Sequence, residues 1–177
     1  MKKTLTVAFV GAAMISSAAS AQSAFLTDAN ELCLSIIEGA SIEEMGFTPS
    51  AEATEVPFMT EAYEGKLTGV DVRIDLGERF GAPMCDVNAP EASVQDYEAI
   101  HADLVDNFGV RGVNYDNPSS STGYRGEIWA DKEAMSGPIE DMQINGTELT
   151  SVFVQYAKSG FMQTGGRAGV ILSYQAR

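Results

Sequence analysis

The clearest pattern along the chain is alternation at residues 70–76. Val70, Val72, Ile74 and Leu76 fall on one side and Asp71, Arg73 and Asp75 on the other, as in a strand with one buried face and one wet face. On that reading Asp71 and Asp75 stand about 13 Å apart, too far to share an ion. Gly77 to Gly81 reads as a turn into a second strand near Ala82 to Val87, and a weaker strand precedes it near Val56 to Tyr63. Two stretches show helical spacing instead. Ala29, Leu32, Cys33, Ile36, Ile37 and Ala40 follow Asp28-x-x-Glu31, which predicts a helix from about Asp28 to Glu38, capped by Asp28 and with its end bracketed by Gly39 and Gly46. A second helix opens at the capping box Ser93-x-x-Asp96, carries Val94, Tyr97, His101, Leu104, Val105 and Phe108 on one stripe, and stops at Gly109.

Strand signals fill the rest of the chain. A short strand is expected at Val110 to Tyr115, then a polar, mobile loop at Asn117 to Gly123 with no apolar anchor, then a strand from Tyr124 to Ala130. Asn145-Gly146 tolerates the positive φ of a type I′ turn and centres a hairpin. The apolar run Leu149 to Tyr156 leads through Gly160 and Gly165-Gly166 to a last strand from Ala168 to Tyr174. The fold class is therefore α+β, an antiparallel sheet of about five to seven strands with two helices packed on one face.

The N-terminus belongs to none of these elements. Met1-Lys2-Lys3, an uncharged apolar stretch from Thr4 to Ile15, and small residues ending in Ala19-Ser20-Ala21 make up a secretory signal peptide, too short to span a membrane as a helix. Cleavage is expected between Ala21 and Gln22, leaving one globular domain over residues 22–177 in the periplasm or secreted, with no lipid or membrane anchor. The full chain of 177 residues carries a net charge of −14. Losing Lys2 and Lys3 moves it to about −16. Nucleic-acid binding is excluded as an expectation, because no basic cluster is present to neutralise phosphates. The acidic surface suits a basic partner, and solubility alone also explains it.

Cys33 and Cys85 are the two cysteines, and an even pair in an exported domain is expected to form a disulfide. A loop of about 53 residues closed in this way is worth about 4 kcal/mol in chain entropy.

Catalytic chemistry is sparsely represented. His101 is the one histidine; its stripe neighbours and Glu98 one turn earlier favour a core-edge imidazole with a hydrogen-bond partner over a base or metal ligand. The stretch Gly160 to Arg167 lacks the Gly-Lys-Ser/Thr ending of a phosphate loop, and no nucleophile elbow, zinc-protease helix or Cys-x-x-Cys pair occurs. Trp129, Tyr124 and Tyr115 are candidates to line a cleft, with strand aromatics in the core as the alternative. No catalytic, cofactor-binding or metal-binding residue is assigned. The expectation is a non-catalytic exported protein that binds an unidentified protein or small ligand through a sheet face or the loop at Asn117 to Gly123. The alternatives are a periplasmic hydrolase using acidic residues and His101, or a structural or weak cation-binding protein. Protein isolated from its native cell should begin at Gln22 by intact mass; a mass retaining Met1 to Ala21 would refute the cleavage site.

Overall fold

A computed structural model describes residues 16–108, 112–130, 143–144, 147–160 and 164–176. The helices are α1 (Ser16–Ile37) and α2 (Val94–Phe108). The strands are β1 (Thr48–Pro49), β2 (Met59–Leu67), β3 (Val70–Arg79), β4 (Ala82–Ala89), β5 (Gly112–Asn114), β6 (Arg125–Ala130), β7 (Gln143–Ile144), β8 (Thr147–Ala157) and β9 (Gly169–Ala176). They form one antiparallel sheet in the order β1-β2-β3-β4-β9-β8-β6-β5, with β7 attached to β8. Two strands are only two residues long, so the longer ones match the number expected from the pattern, and the α+β arrangement holds.

Register explains where the core lies. Ile74, Val87, Leu172 and Val154 stand side by side across β3, β4, β9 and β8, and Leu76, Cys85, Tyr174 and Val152 form the next row. Alternation along each strand puts both rows on the face that receives α1 and α2. Phe25, Leu26, Ala29, Leu32 and Cys33 of α1 and Tyr97, Ile100 and Leu104 of α2 are buried in the same cluster. Cys33 is bonded to Cys85, tying the first helix to a central strand.

Several local signals read from sequence hold. Ala40 N–H donates to Ser35 O and Gly39 N–H to Ile36 O, with Gly39 at φ +99°; this is the Schellman stop that ends α1. Asp96 Oδ2 accepts from Ser93 N–H at 2.7 Å and Asp96 N–H donates to Ser93 Oγ at 3.3 Å, the reciprocal capping box of α2. Gln143 pairs with Glu148 and Ile144 with Thr147 across the expected hairpin; its turn residues, Asn145 and Gly146, lie outside the described residues.

Three expectations are corrected. Asp28 does not cap α1, which starts at Ser16; its carboxylate accepts instead from the Thr68 hydroxyl at 3.0 Å. Helix continues on its N-terminal side because Phe25 and Leu26 add buried side chains there. The loop from Asn117 to Gly123 is anchored: Thr122 is buried, its carbonyl accepts from Lys158 N–H at 2.8 Å, and Asn117 bridges to Tyr124. Polar composition concealed this because the anchors are backbone groups. Asp75 is fully buried on the face expected to be wet. That face is covered by two irregular segments, residues 50–57 and the β8–β9 connection, which meet where Gly165 packs against Val56.

Replacing both Cys33 and Cys85 by alanine should lower unfolding free energy by about 4 kcal/mol, read as a drop in the guanidinium midpoint at unchanged slope. A loss under about 1 kcal/mol would show that the bridge adds little to a core already held by packing.

Candidate functional site

Glu127 lies in the row of Val154 and Leu172, facing the helical layer among aliphatic side chains. A carboxylate in that position requires a polar partner, and α2 provides it. His101 Nε2 is 2.7 Å from Glu127 Oε2, and the imidazole is half-buried between the rings of Tyr97 and Trp129, at centroid distances of 5.7 and 5.5 Å. Tyr97 also meets Tyr156 at 6.5 Å. The partner expected from sequence was Glu98; the sheet supplies Glu127 instead, because residues that far apart in sequence meet only through packing of α2 on β6.

A second pair stands close by. Arg125 Nη1 lies 3.3 Å from Asp116 Oδ2, and Asp116 Oδ1 accepts from Gly126 N–H at 3.0 Å. Burial pushes the Tyr97 phenol far above its ordinary value, and the negative charges of Asp116 and Glu127 add to the effect against Arg125. Tyr97 is thus a neutral hydroxyl at any physiological pH. Among the described residues no hydroxyl or thiol hydrogen-bonds the His101 ring, and no three metal-ligating side chains are grouped to hold an ion.

The three aromatics considered as one cleft are separated. Trp129 is fully buried toward the helices. Tyr115 is exposed and packs on Phe153, which alternation places on the other face. Tyr124 lies over Gly126, where its ring occupies the space a Cβ would take, and its hydroxyl donates to Gln155 at 3.1 Å. Burial, followed by the charge of Asp116, pushes the Tyr124 phenol up to about 12.

The face away from the helices holds a feature that sequence reasoning missed. Asp75 and Asp86 are neighbours across β3 and β4, and Arg167, carried in by the β8–β9 connection, reaches both. Its Nη1 lies 3.2 Å from Asp75 Oδ2 and its Nη2 2.7 Å from Asp86 Oδ2. Arg73 closes the set with Nε 3.1 Å from Asp75 Oδ1. Arg167, Asp75 and Asp86 form the buried part of this network, and Arg73 links it to the exposed Glu52 carboxylate 3.9 Å from its Nη1. Burial pushes the Asp86 carboxyl above the usual range even so, while Arg167 and the Ser173 hydroxyl oppose the shift; Asp86 Oδ1 meets no donor at good hydrogen-bond geometry. The one available signal was the charged side of β3, which was read as solvent-facing. The turn is built to aim Arg167: its Nε–H donates to Thr164 O at 2.9 Å and Thr164 Oγ1 donates to Arg167 O at 2.6 Å.

Comparison with protein-family models, with curated proteins and with solved structures finds no match to this chain. The disulfide points to an oxidising, extracytoplasmic environment. Among the described residues no helix is long and apolar enough to cross a membrane.

Removing the cation from the network should be costly. Arg167→Met leaves Asp86 buried without a cation while Asp75 keeps Arg73, and should destabilise by about 3–5 kcal/mol near pH 7. Asp86 has its folded pKa above the unfolded value of 3.8, so between the two the folded state holds the extra proton and stability rises as pH falls. Losing Arg167 raises the folded pKa further, so urea unfolding should show a smaller deficit near pH 5 than near pH 7. A deficit independent of pH would contradict this account.

Proposed function

We propose that this chain is an exported, non-catalytic protein that binds a partner in the periplasm or the surrounding medium. The observation that carries the reading is the Cys33–Cys85 bridge, which ties a helix to the middle of the sheet and suits a small domain working under oxidising conditions. Removal of residues 1–21 fits this picture, because Phe25, Leu26, Ala29, Leu32, Cys33 and Leu34, buried side chains of α1 among the described residues, are retained. The polar groups that chemistry would need are committed internally: Asp75, Asp86 and Arg167 to one another, and Glu127 to His101. Binding is then the role open to a rigid scaffold whose remaining features are surface ones.

A hydrolase is the second reading. It draws on the His101–Glu127 contact, an imidazole held by a carboxylate as a general base is held. The half-buried ring between Tyr97 and Trp129 serves equally to satisfy Glu127, and that economy favours the first reading.

Immobilised, oxidised protein spanning residues 22–177 should retain a specific companion from periplasmic extract, with capture saturating and competed away by the same protein free in solution. Absence of any competable companion, together with hydrolytic turnover abolished by His101→Asn, would replace binding by catalysis.

A further inference from the structure

The tip of the β3–β4 hairpin is built at a cost that packing does not explain. Arg79 pairs with Ala82, so Phe80-Gly81 forms a two-residue turn with φ of +56° and +82°, the conformation in which Asn-Gly is the ordinary choice. A phenylalanine in that left-handed region is strained by about 1–2 kcal/mol. Its ring gains little burial in return, being 90% exposed. Phe58 repeats the pattern: φ is +71° and the side chain is 52% exposed. A specific device holds it there. Its carbonyl accepts from Glu78 N–H at 3.0 Å, and a Cβ at Gly77 would collide with that carbonyl and with Met59 Cα, so only glycine admits the approach.

Arg79 lies against both rings, its guanidinium carbon 5.3 Å from the Phe58 centroid and 5.2 Å from that of Phe80, and the rings themselves meet at 6.3 Å. Its Nε is shielded from water and has no hydrogen-bond acceptor. Arg73, Arg125 and Arg167 each meet a carboxylate, whereas among the described residues none lies within ion-pair distance of Arg79, in a chain with 25 acidic side chains. Two strained, exposed phenylalanines in contact with each other and with an unpaired guanidinium make an interaction surface, because strain persists at positions kept for function and aromatic–arginine clusters dominate binding energy at interfaces.

We propose that the Phe58–Arg79–Phe80 tip docks a partner protein by receiving one acidic side chain flanked by apolar residues. The guanidinium accepts a carboxylate bidentately, and its stacking on the rings leaves it pre-organised and weakly hydrated. The rings take the apolar flanks. A single carboxylate fits better than an extended anionic surface, since the chain's charge of −14 repels a lipid bilayer of the same sign. This site rests on the binding function proposed above and names its contact.

The probe is the blocked peptide acetyl-Gly-Leu-Asp-Phe-Gly-amide, titrated while the Arg79 Nε–H and phenylalanine ring resonances are followed by NMR. Its asparagine analogue and phosphatidylglycerol vesicles serve as comparisons. The acidic peptide should shift these resonances saturably, and the asparagine peptide should bind about tenfold more weakly or worse. Arg79→Gln and Phe80→Asn should each weaken binding at least about tenfold. Phe80→Asn should melt at or above the wild-type temperature, since asparagine tolerates the turn, which separates lost contact from lost fold. Equal response to both peptides, response mapped elsewhere, no saturable response, or response to vesicles alone would each overturn the proposal. If immobilised Phe80→Asn retained the periplasmic companion as fully as wild type, the tip would fail and the binding function would stand.

Discussion

The bond between Cys33 and Cys85 fixes the relation on which the rest of the molecule depends. Cys85 sits in β4 between Leu76 and Tyr174, at the centre of the sheet, and Cys33 sits on the buried side of α1. Holding these two points together sets α1 over β4, and α2 packs beside it over β8 and β9. The helical layer therefore has one placement, and the aliphatic rows of the sheet have a roof. The crosslink acts on the unfolded chain as well, by restricting the ensemble from which folding starts.

Covering the second face follows a different rule. Among the described residues no helix lies there; residues 50–57 and the described part of the β8–β9 connection do, and both bring polar backbone with them. Burial beneath irregular chain demands internal partners, and these are present: Asn88 Nδ2 donates to the carbonyls of Ala168 and Val170, and Arg167 is shared by Asp75 and Asp86. A network of this kind adds little net stability relative to apolar packing, but it makes misplacement of the connection expensive. The two faces thus divide the work: apolar contact with helices on one, directional polar bonds on the other. The hairpin tip differs from both, since among the described residues its Arg79 meets no carboxylate.

Legibility from sequence followed the range of the interaction. The capping box at Ser93 and Asp96, the glycine stop at Gly39 and the alternation of Val72, Ile74 and Leu76 were readable because each depends on residues a few positions apart. The hairpin flanking Asn145-Gly146 was readable for the same reason. His101 was correctly set at the edge of the core, yet its partner was misassigned, since helical neighbours are visible in sequence and cross-layer neighbours are not. Arg167 looked like a residue in a glycine-rich turn, and Asp75 like a solvated strand acid. Their meeting depends on a connection of irregular backbone folding back over a sheet, which no periodicity announces.

By itself the sequence determined the strand and helix pattern, the α+β class and the pairing of its two cysteines, because local spacing and composition set these. Tertiary structure decided which charges are buried and with whom: Glu127 with His101, Asp75 and Asp86 with Arg167, and Arg79 with the rings of Phe58 and Phe80. The physical reason is that a charge's cost and its partner depend on what covers it. Covering is a property of layers brought together in space, and is not carried by neighbours along the chain.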